Sequence, residues 1–521
     1  MAVNTRGLVQ GTAAQVESLP APLGGWNARD SYANMDPMDA VTLENMFPTV
    51  SNVTLRGGYS KWATGLDGQV QSLFVYSGGA TNKFFAVTET GKLYDVTAGG
   101  AVGSAVLTGL GNGNWEYTNI TTSGGSFLYA VNGVHAPLLY DGTTWTSITS
   151  SSTPAITGVT TTSLINVLLF KNRIWFIETN TLKAWYLPTS SIGGAAQYLD
   201  LSSVCRYGGH LVDFNTWTID GGFGIDDMLA FITNNGEVVV YRGTDPASAS
   251  TWSLTGIWKF GSPISTRAML KWGGDLLILT YDGLLPMSQA MQSDRLDPRI
   301  ALSDKIQGAI AAATTTYGGD HTSVGWQLVY SAKNNAIMIN VPVAVGQQQY
   351  VMNTITKSWC NFTGWNANCW DIYEDDLYFG GNGYVAKAWD NTYADDGANI
   401  VTNTIQAFNY MGSRGVKKYF TRARPNIFTN GQPGIFVGAN IDFNILNNSA
   451  PLTYTASVYG VWDVGKWGTA LWGSDLDITN NWLGITGIGY CMGLQVKTAS
   501  SLLQVQWAAT DVVYQTGWAG I

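Results

Sequence analysis

Residues 115–148 read WEYTNITTSGGSFLYAVNGVHAPLLYDGTTWTSI. Four short apolar runs (WEYTNI, SFLYAVNG, PLLYDG and TWTSI) are separated by segments rich in Gly, Asn and Asp. Short apolar runs between turn residues are the signature of an antiparallel sheet of small strands. The same theme recurs on both sides. Before it come QSLFVY, KFFAVTETG and KLYDV (71–96). After it come NVLLFKN, RIWFIET and LKAWYLP (166–188), then MLAFITNNG, EVVVYRG and TWSLTGIWKFG (228–261). RAMLKWGG, DLLILTYDG and LLPMSQAM follow (267–291), then GWQLVYS, NAIMINVP, QQYVMNTI and KSWCNFTGW (325–365), and finally CWDIYED, DLYFGGNG and YVAKAWD (369–390).

Seven units between about 66 and 391 give a repeat of about 45 residues, the spacing of propeller blades. One small twisted sheet cannot bury both of its faces alone, whereas blades arranged around an axis bury them on one another. The expected fold is therefore all-β: a β-propeller of about seven irregular blades over 63–398, with insertions near 189–224 and 290–323. A pair of stacked β-sandwiches is the competing reading; it suits the turns but not the recurrence. TETGK, VNGV, TNNGE, KWGGD and TYDG, beginning at 88, 131, 233, 271 and 280, read as hairpin turns, their Asn-Gly, Asp-Gly and Gly-Gly pairs fitting type I′. Helical signal is confined to ALSDKIQGAIAAATTT (301–316), with Ser303 as the expected cap and Ile306 and Ile310 on one face.

Two flanks lie outside the repeat: an N-terminal arm, 1–62, punctuated by Pro and Gly, and a C-terminal β-rich docking domain, 399–521. The 521 residues carry 27 Lys plus Arg against 36 Asp plus Glu, a net charge of −9. From residue 400 onward, seven basic residues stand against five Asp and no Glu, about +2, which leaves about −11 for the rest. This shift marks the C-terminal region as separate. Charged residues are only 12% and Gly is 61 of 521, with 21 Trp. Low charge and abundant aromatics exclude disorder as the main state. The acidic balance argues against a broad nucleic-acid-binding face, though an acidic wall lets DNA pass without sticking. The start lacks an apolar core of a signal peptide, and no apolar run is long enough for a transmembrane helix, so no membrane anchor is expected.

Catalytic constellations are poorly supported. There are three histidines (His135, His210, His321) and no G-x-S-x-G, H-E-x-x-H or phosphate loop. The acidic clusters Asp226–Asp227, Glu374–Asp376 and Asp395–Asp396 fall at turns, where solvated carboxylates stay ionised. DGTTW at 141–145 approaches the Asp-box of sialidases but lacks the residue between its Asp and Gly. GSDLDITNN, with Asp475 and Asp477, misses the Gly and distal Glu of an EF-hand. No catalytic residue, cofactor or metal site is expected, and the chain does not read as an enzyme. The four cysteines (Cys205, Cys360, Cys369, Cys491) form no CxxC and are expected to be reduced. The compact basic cluster RGVKKYFTRAR supplies the interface candidates Arg414, Lys417, Lys418, Arg422 and Arg424, interleaved with aromatics. It reads as a docking patch or, more plainly, as a strand with a basic outer face. The VWDVGKWGTALWGSD segment (461–475) reads as core or interface.

The arm LGGWNARDSYANMDPMDAVTLENMFPTVSNVTLRGGYSKW (23–62) resembles the opening of tail nozzle proteins of short-tailed bacteriophages. The matching residues are Gly24, Gly25, Asn27, Arg29 and Asp30; then Ala40, Leu43, Asn45, Phe47 and Pro48; then Leu55, Arg56, Gly58 and Tyr59. YRGTDPASASTWSLTGIWKFG, GGDLLILTYDGLLPMSQAM, QQYVMNTITKSWCNFTGWNANCW and QAFNYMGSRG resemble this class further on, in one order. The resemblance implies a virion structural protein in the viral tail, assembled in the host cytoplasm. It implies a homo-hexamer that docks to the head-to-tail adaptor, neighbours tail fibre or tail spike proteins, and guides genome DNA without sequence-specific binding. A carbohydrate-binding or depolymerase propeller acting on the host surface is the alternative.

Overall fold

The computed structural model describes residues 14–78, 81–220, 225–290, 298–318, 325–344, 346–446 and 476–517. The chain divides into two compact units. One comprises Tyr59–Thr354 and Thr363–Asp390; the other comprises Met1–Gly58, Ile355–Phe362 and Asn391–Ile521.

The first unit is an all-β propeller of seven small antiparallel sheets, in chain order. Blade 1 pairs the second half of Gly58–Ser77 with Asn82–Thr88 and Leu93–Asp95. Blade 2 runs Glu116–Thr122, Gly125–Val131, Leu138–Tyr140 and Trp145–Ser147. Blade 3 runs Leu164–Phe170, Arg173–Glu178, Lys183–Tyr186 and Gln197–Asp200, and blade 4 runs Leu211–Asp220, Ile225–Thr233, Glu237–Gly243 and Trp252–Lys259. Blade 5 has Met269–Trp272, Asp275–Thr280 and Gly283–Pro286; blade 6 has Gln327–Ser331, Ala336–Val341 and Gln348–Asn353. Blade 7 has Cys369–Tyr373, Asp376–Gly380 and Asn382–Asp390, and its fourth strand is the first half of Gly58–Ser77. That one 20-residue strand therefore belongs to the first and last blades and closes the ring.

The packing explains why the strands read as apolar runs. Within Gly125–Val131, Leu128 and Ala130 pack with Phe74 and Phe85 of blade 1. Tyr129 and Val131 face the other way, onto Val167 and Phe176 of blade 3. The alternation continues around the ring: Trp175 and Ile177 meet Phe231 and Val239, Ala230 and Val238 meet Leu276 and Ile278, and Tyr373 and Tyr378 meet Phe84 and Ala86. Side chains alternate faces along a strand. A blade with both faces buried must therefore be apolar at every position, not every second one.

The hairpins differ from expectation in type. Gly91, Gly133, Gly236, Gly273 and Gly283 do have positive φ, but Asn132, Asn235 and Asp282 before them do not. A type I′ turn needs both central residues there. At 233–237, the Gly236 N–H bonds to the Thr233 carbonyl at 2.8 Å and Gly236 alone enters the left-handed region. That is a type I turn closed by a left-handed glycine, the solution for longer hairpin loops.

The segment near 189–224 is not an insertion. It supplies the outer strand of blade 3 and the first strand of blade 4. Its QYLD strand is mostly exposed and carries no apolar run to signal it. The segment near 290–323 does interrupt the series, with a helix at Gln307–Tyr317. Ile306 and Ile310 are buried, and Ser303 sits at the start of the turn that leads into the helix without a side-chain cap bond: its buried hydroxyl accepts the Leu284 N–H at 2.9 Å instead.

The second unit joins the two flanks, which the sequence reading kept apart. Gln15–Pro20 and Val53–Leu55 pair with the C-terminal strand Val505–Thr516. Asp39–Glu44 pairs with Asn403–Gln406 and, at Glu44, with Asn361. One sheet is built on Lys418–Thr429 and Val505–Thr516; the other is built on Asp39–Glu44, Asn403–Gln406, Gly434–Ile441 and Met492–Ser500. The arm is thus part of the C-terminal fold. Residues 461–475 lie outside the described residues, as do Asp475 and His321.

Candidate functional site

The basic cluster lies on and before the strand Lys418–Thr429. Its inward side chains are Lys418, Phe420, Ala423, Pro425, Ile427 and Thr429. A register shift between Phe420 and Arg422 places Thr421 and Arg422 both away from the core. Lys418 therefore points in, while Arg422 and Arg424, at the same parity, point out. Simple alternation cannot reveal such a bulge.

Lys418 leaves the surface patch accordingly. It is buried, and its Nζ donates to the carbonyls of Ser413 at 2.5 Å, Val416 at 3.0 Å and Tyr490 at 3.1 Å. Burial draws its ammonium below the usual lysine range. Three accepting carbonyls make it a clamp on the preceding loop. Arg424 donates to Asp511 Oδ2 from Nε at 3.1 Å and from Nη2 at 2.7 Å, with Trp482 stacked 4.7 Å from its guanidinium. Burial works against the Asp511 charge, but Arg424 together with hydrogen bonds from Ser18 and Asn426 holds the carboxyl below the usual range. Arg414, Lys417 and Arg422 are exposed. The Arg414 guanidinium lies 4.6 Å from the Tyr410 ring and Lys417 Nζ lies 5.7 Å from that of Tyr490. Tyr410, Arg414, Asp442, Phe443, Tyr490 and Cys491 line an open cavity of about 450 Å³. Asp442 Oδ1 accepts the N–H groups of Tyr490 and Cys491, at 2.7 and 3.1 Å. Cations held over aromatic rings can meet a carboxylate or another ring.

The arm residues form two local hydrogen-bonded groups, one around Asn27 and one around Arg56. A Cβ on Gly24 would lie 2.1 Å from Asp39 Oδ1. Gly25 has φ +84°, and a Cβ there would lie 2.6 Å from the Trp359 carbonyl oxygen. Asn27 donates to Asp30 at 2.9 Å and Asp39 at 2.8 Å, and its carbonyl accepts the N–H groups of Arg29 and Asp30. Asn45 takes φ 58°, donates to the Val401 carbonyl at 2.8 Å and accepts Arg56 Nε at 2.9 Å. The fully buried Arg56 donates to both carboxylate oxygens of Asp395, at 2.8 and 2.6 Å, and Gly58 leaves room for the Ala394 backbone. Asn45, Arg56 and Gly58 hold the arm onto 394–402.

Sequence reading missed the polar centre of the propeller. The first strands of successive blades are neighbours and line the axis. Arg267, before blade 5, donates to Glu116 of blade 2 at 2.5 Å, to Ser72 Oγ at 2.9 Å and to the Trp115 carbonyl at 2.8 Å. Asp213 of blade 4 accepts the N–H groups of Ala268 and Met269 and the Asn166 amide, at 3.1, 3.0 and 2.8 Å. Burial nonetheless pushes it up to about 8. Asp371 of blade 7 accepts the Tyr117 hydroxyl of blade 2 at 2.7 Å, and burial pushes it up to about 7. The available signal was a charge inside an apolar strand, as in LVDFN and CWDIY.

The other acidic candidates have local partners. Asp376 pairs with Lys333 at 2.5 Å and with Lys387. Asp141 accepts the N–H groups of Thr144 and Thr143 within its own turn, which holds it down to about 2. The described residues contain no group of His, Cys, Asp or Glu that could hold a metal ion. No described helix is long and apolar enough to cross a membrane. All four cysteines are free, and burial pushes Cys369 up to about 12.

No family model matches the chain, and no curated protein matches it. Among solved structures, it is similar to the β-propeller domain of Cps50 (Swd1) from Myceliophteria thermophila, at 12% identity and TM-score 0.39, over 63% of this chain and 98% of that one. It is similar to BBS1N in complex with ARL6DN at 9% identity and TM-score 0.38, over 64% and 97%. It is similar to YCF48 bound to D1 peptide at 10% identity and TM-score 0.36, over 64% and 94%.

Proposed function

We propose that the chain is a virion structural protein that forms the tail nozzle ring of a short-tailed bacteriophage. The reading rests on the arm motif, several of whose residues are structurally employed: Gly24, Gly25 and Asn27 around Asp39 and Trp359, and Asn45, Arg56 and Gly58 against 394–402. In this reading six copies surround a path for genome DNA and dock to the head-to-tail adaptor, with tail fibre or tail spike proteins alongside. The exposed Arg414, Lys417 and Arg422 meet a neighbouring protein, because phosphate-binding cations on the DNA path would slow its passage through counterion-linked sticking.

The test is the mass and shape of the purified chain. A closed hexamer with a hole wide enough for duplex DNA, and labelling at the tail tip of virions, are expected. A monomer or trimer at micromolar concentration, with no tail labelling, would return the chain to the carbohydrate-binding or depolymerase alternative.

A further inference from the structure

At one end of the propeller axis, above the Arg267–Glu116 pair, blades 1 to 5 enclose a cavity of about 350 Å³. From its size and lining, and independently of ring assembly, we propose that this cavity binds a neutral saccharide of one or two sugar rings.

The lining has unspent hydrogen-bonding capacity. Gln71, Asn114, Thr179 and Thr266 line the cavity, and their side-chain carboxamides and hydroxyls have no hydrogen-bond partner among the described residues. They come from four different parts of the ring and converge on one space. Each can both donate and accept, as every hydroxyl of a sugar can.

The neighbouring amides are committed, and they fix the frame. Asn132 Nδ2 donates to the Leu110 carbonyl and to Asn112 Oδ1, both at 2.9 Å. Its own carbonyl accepts the N–H groups of Val134 and His135, at 3.1 and 2.7 Å. Gly113 has no side chain to displace the Gln71 carboxamide, which a Cβ there would approach at 2.9 Å. A site held on a rigid scaffold loses little ordering entropy on binding.

The chemistry selects among ligands. No lysine or arginine lines the cavity among the described residues, and the Glu116 carboxylate does, so the lining offers an anion no permanent positive charge and one negative one. A wholly apolar ligand would strand the carboxamides. Val134, Ile165 and Leu211 supply an apolar side for the C–H face of a sugar ring. The volume is at the small end of ligand pockets.

The full chain is titrated with glucose, galactose, N-acetylglucosamine, maltose and lactose, by calorimetry and saturation-transfer NMR, with inorganic phosphate as the charged probe. At least one neutral sugar is expected to bind with a Kd below about 10 mM, and phosphate is not. The double variant Asn114→Leu, Thr266→Val should weaken that sugar at least tenfold without lowering Tm, while Lys417→Glu leaves it unchanged. The proposal is overturned if no sugar binds in that range, if phosphate binds instead, or if the folded double variant binds as the wild type does.

Discussion

Arg267 donates from Nε to Glu116 Oε1 at 2.5 Å, joining the fifth blade to the second. The large contacts between neighbouring blades are apolar clusters, with polar pairs such as Asn166–Asp213 and Lys333–Asp376 beside them. This one passes between blades that are not neighbours, through the centre. It also ties in blade 1, since the same guanidinium reaches Ser72 and the Gln71 carbonyl.

Breaking that pair from one side should be costly. Arg267→Met leaves Glu116 without its partner, and we expect a loss of about 3 kcal/mol in urea unfolding. The double variant Arg267→Met, Glu116→Leu should recover more than half of it. A double variant as unstable as the single one would show that the charges do not act as a pair.

Stability should fall as pH rises from 5 to 8. Asp213 and Asp371 have folded pKa values raised by burial to about 8 and about 7, against about 3.9 unfolded. Between these limits the folded state binds more protons than the unfolded one, so raising pH favours unfolding, by at most about 1.4 kcal/mol per pH unit and group. The stability they contribute is complete below pH 4 and is lost through the folded pKa values. Urea midpoints at pH 5 and 8 check the sign; a higher midpoint at pH 8 would refute it. Asp371→Asn should flatten the slope.

The two lysines at 417 and 418 should separate. Lys418→Glu puts a carboxylate against three carbonyl oxygens and should cost about 3 kcal/mol or prevent folding of its unit. Lys417→Glu is a surface change and should stay within about 0.5 kcal/mol, yet weaken ring assembly. Equal thermal stability of the two variants would contradict the burial of Lys418.

Gly25→Ala should destabilise the second unit by about 2 kcal/mol or more. It adds a left-handed strain and a Cβ 2.6 Å from the Trp359 carbonyl oxygen. The check is thermal melting beside Gly412→Ala, which also has positive φ but nothing within 4 Å. The difference between them isolates the steric part.

Thiol reactivity gives an inexpensive check. Cys360, Cys369 and Cys491 are buried and free, and burial pushes all three thiols up. A disulfide-exchange reagent should leave them unmodified in the native chain and titrate them all in denaturant.

Local pattern carried the propeller. The inner blade strands are short apolar runs because their two faces meet two other blades, and the turns are marked by glycines that adopt positive φ at Gly91, Gly133 and Gly236. Both are properties of a few adjacent residues, so they survive in one dimension. The strand Gln197–Asp200 was missed for the same reason: at the exposed edge of its blade it needs no apolar run.

Three features were decided only in three dimensions. Gln15–Pro20 pairs with Val505–Thr516 across nearly the whole chain, and no local signal specifies so distant a partner. Lys418 turned inward because of a bulge at 420–422, which changes strand parity without changing composition. Asp213, Asp371, Glu116 and Arg267 could be read singly as charges out of place, but their roles depend on the ring bringing separate blades to one axis. Sequence alone marked the apolar runs that become most of the blade strands and the glycines that turn between them. Tertiary structure decided which strands meet and where the buried charges find partners, because strand pairing and ion pairing are made between residues far apart in the chain.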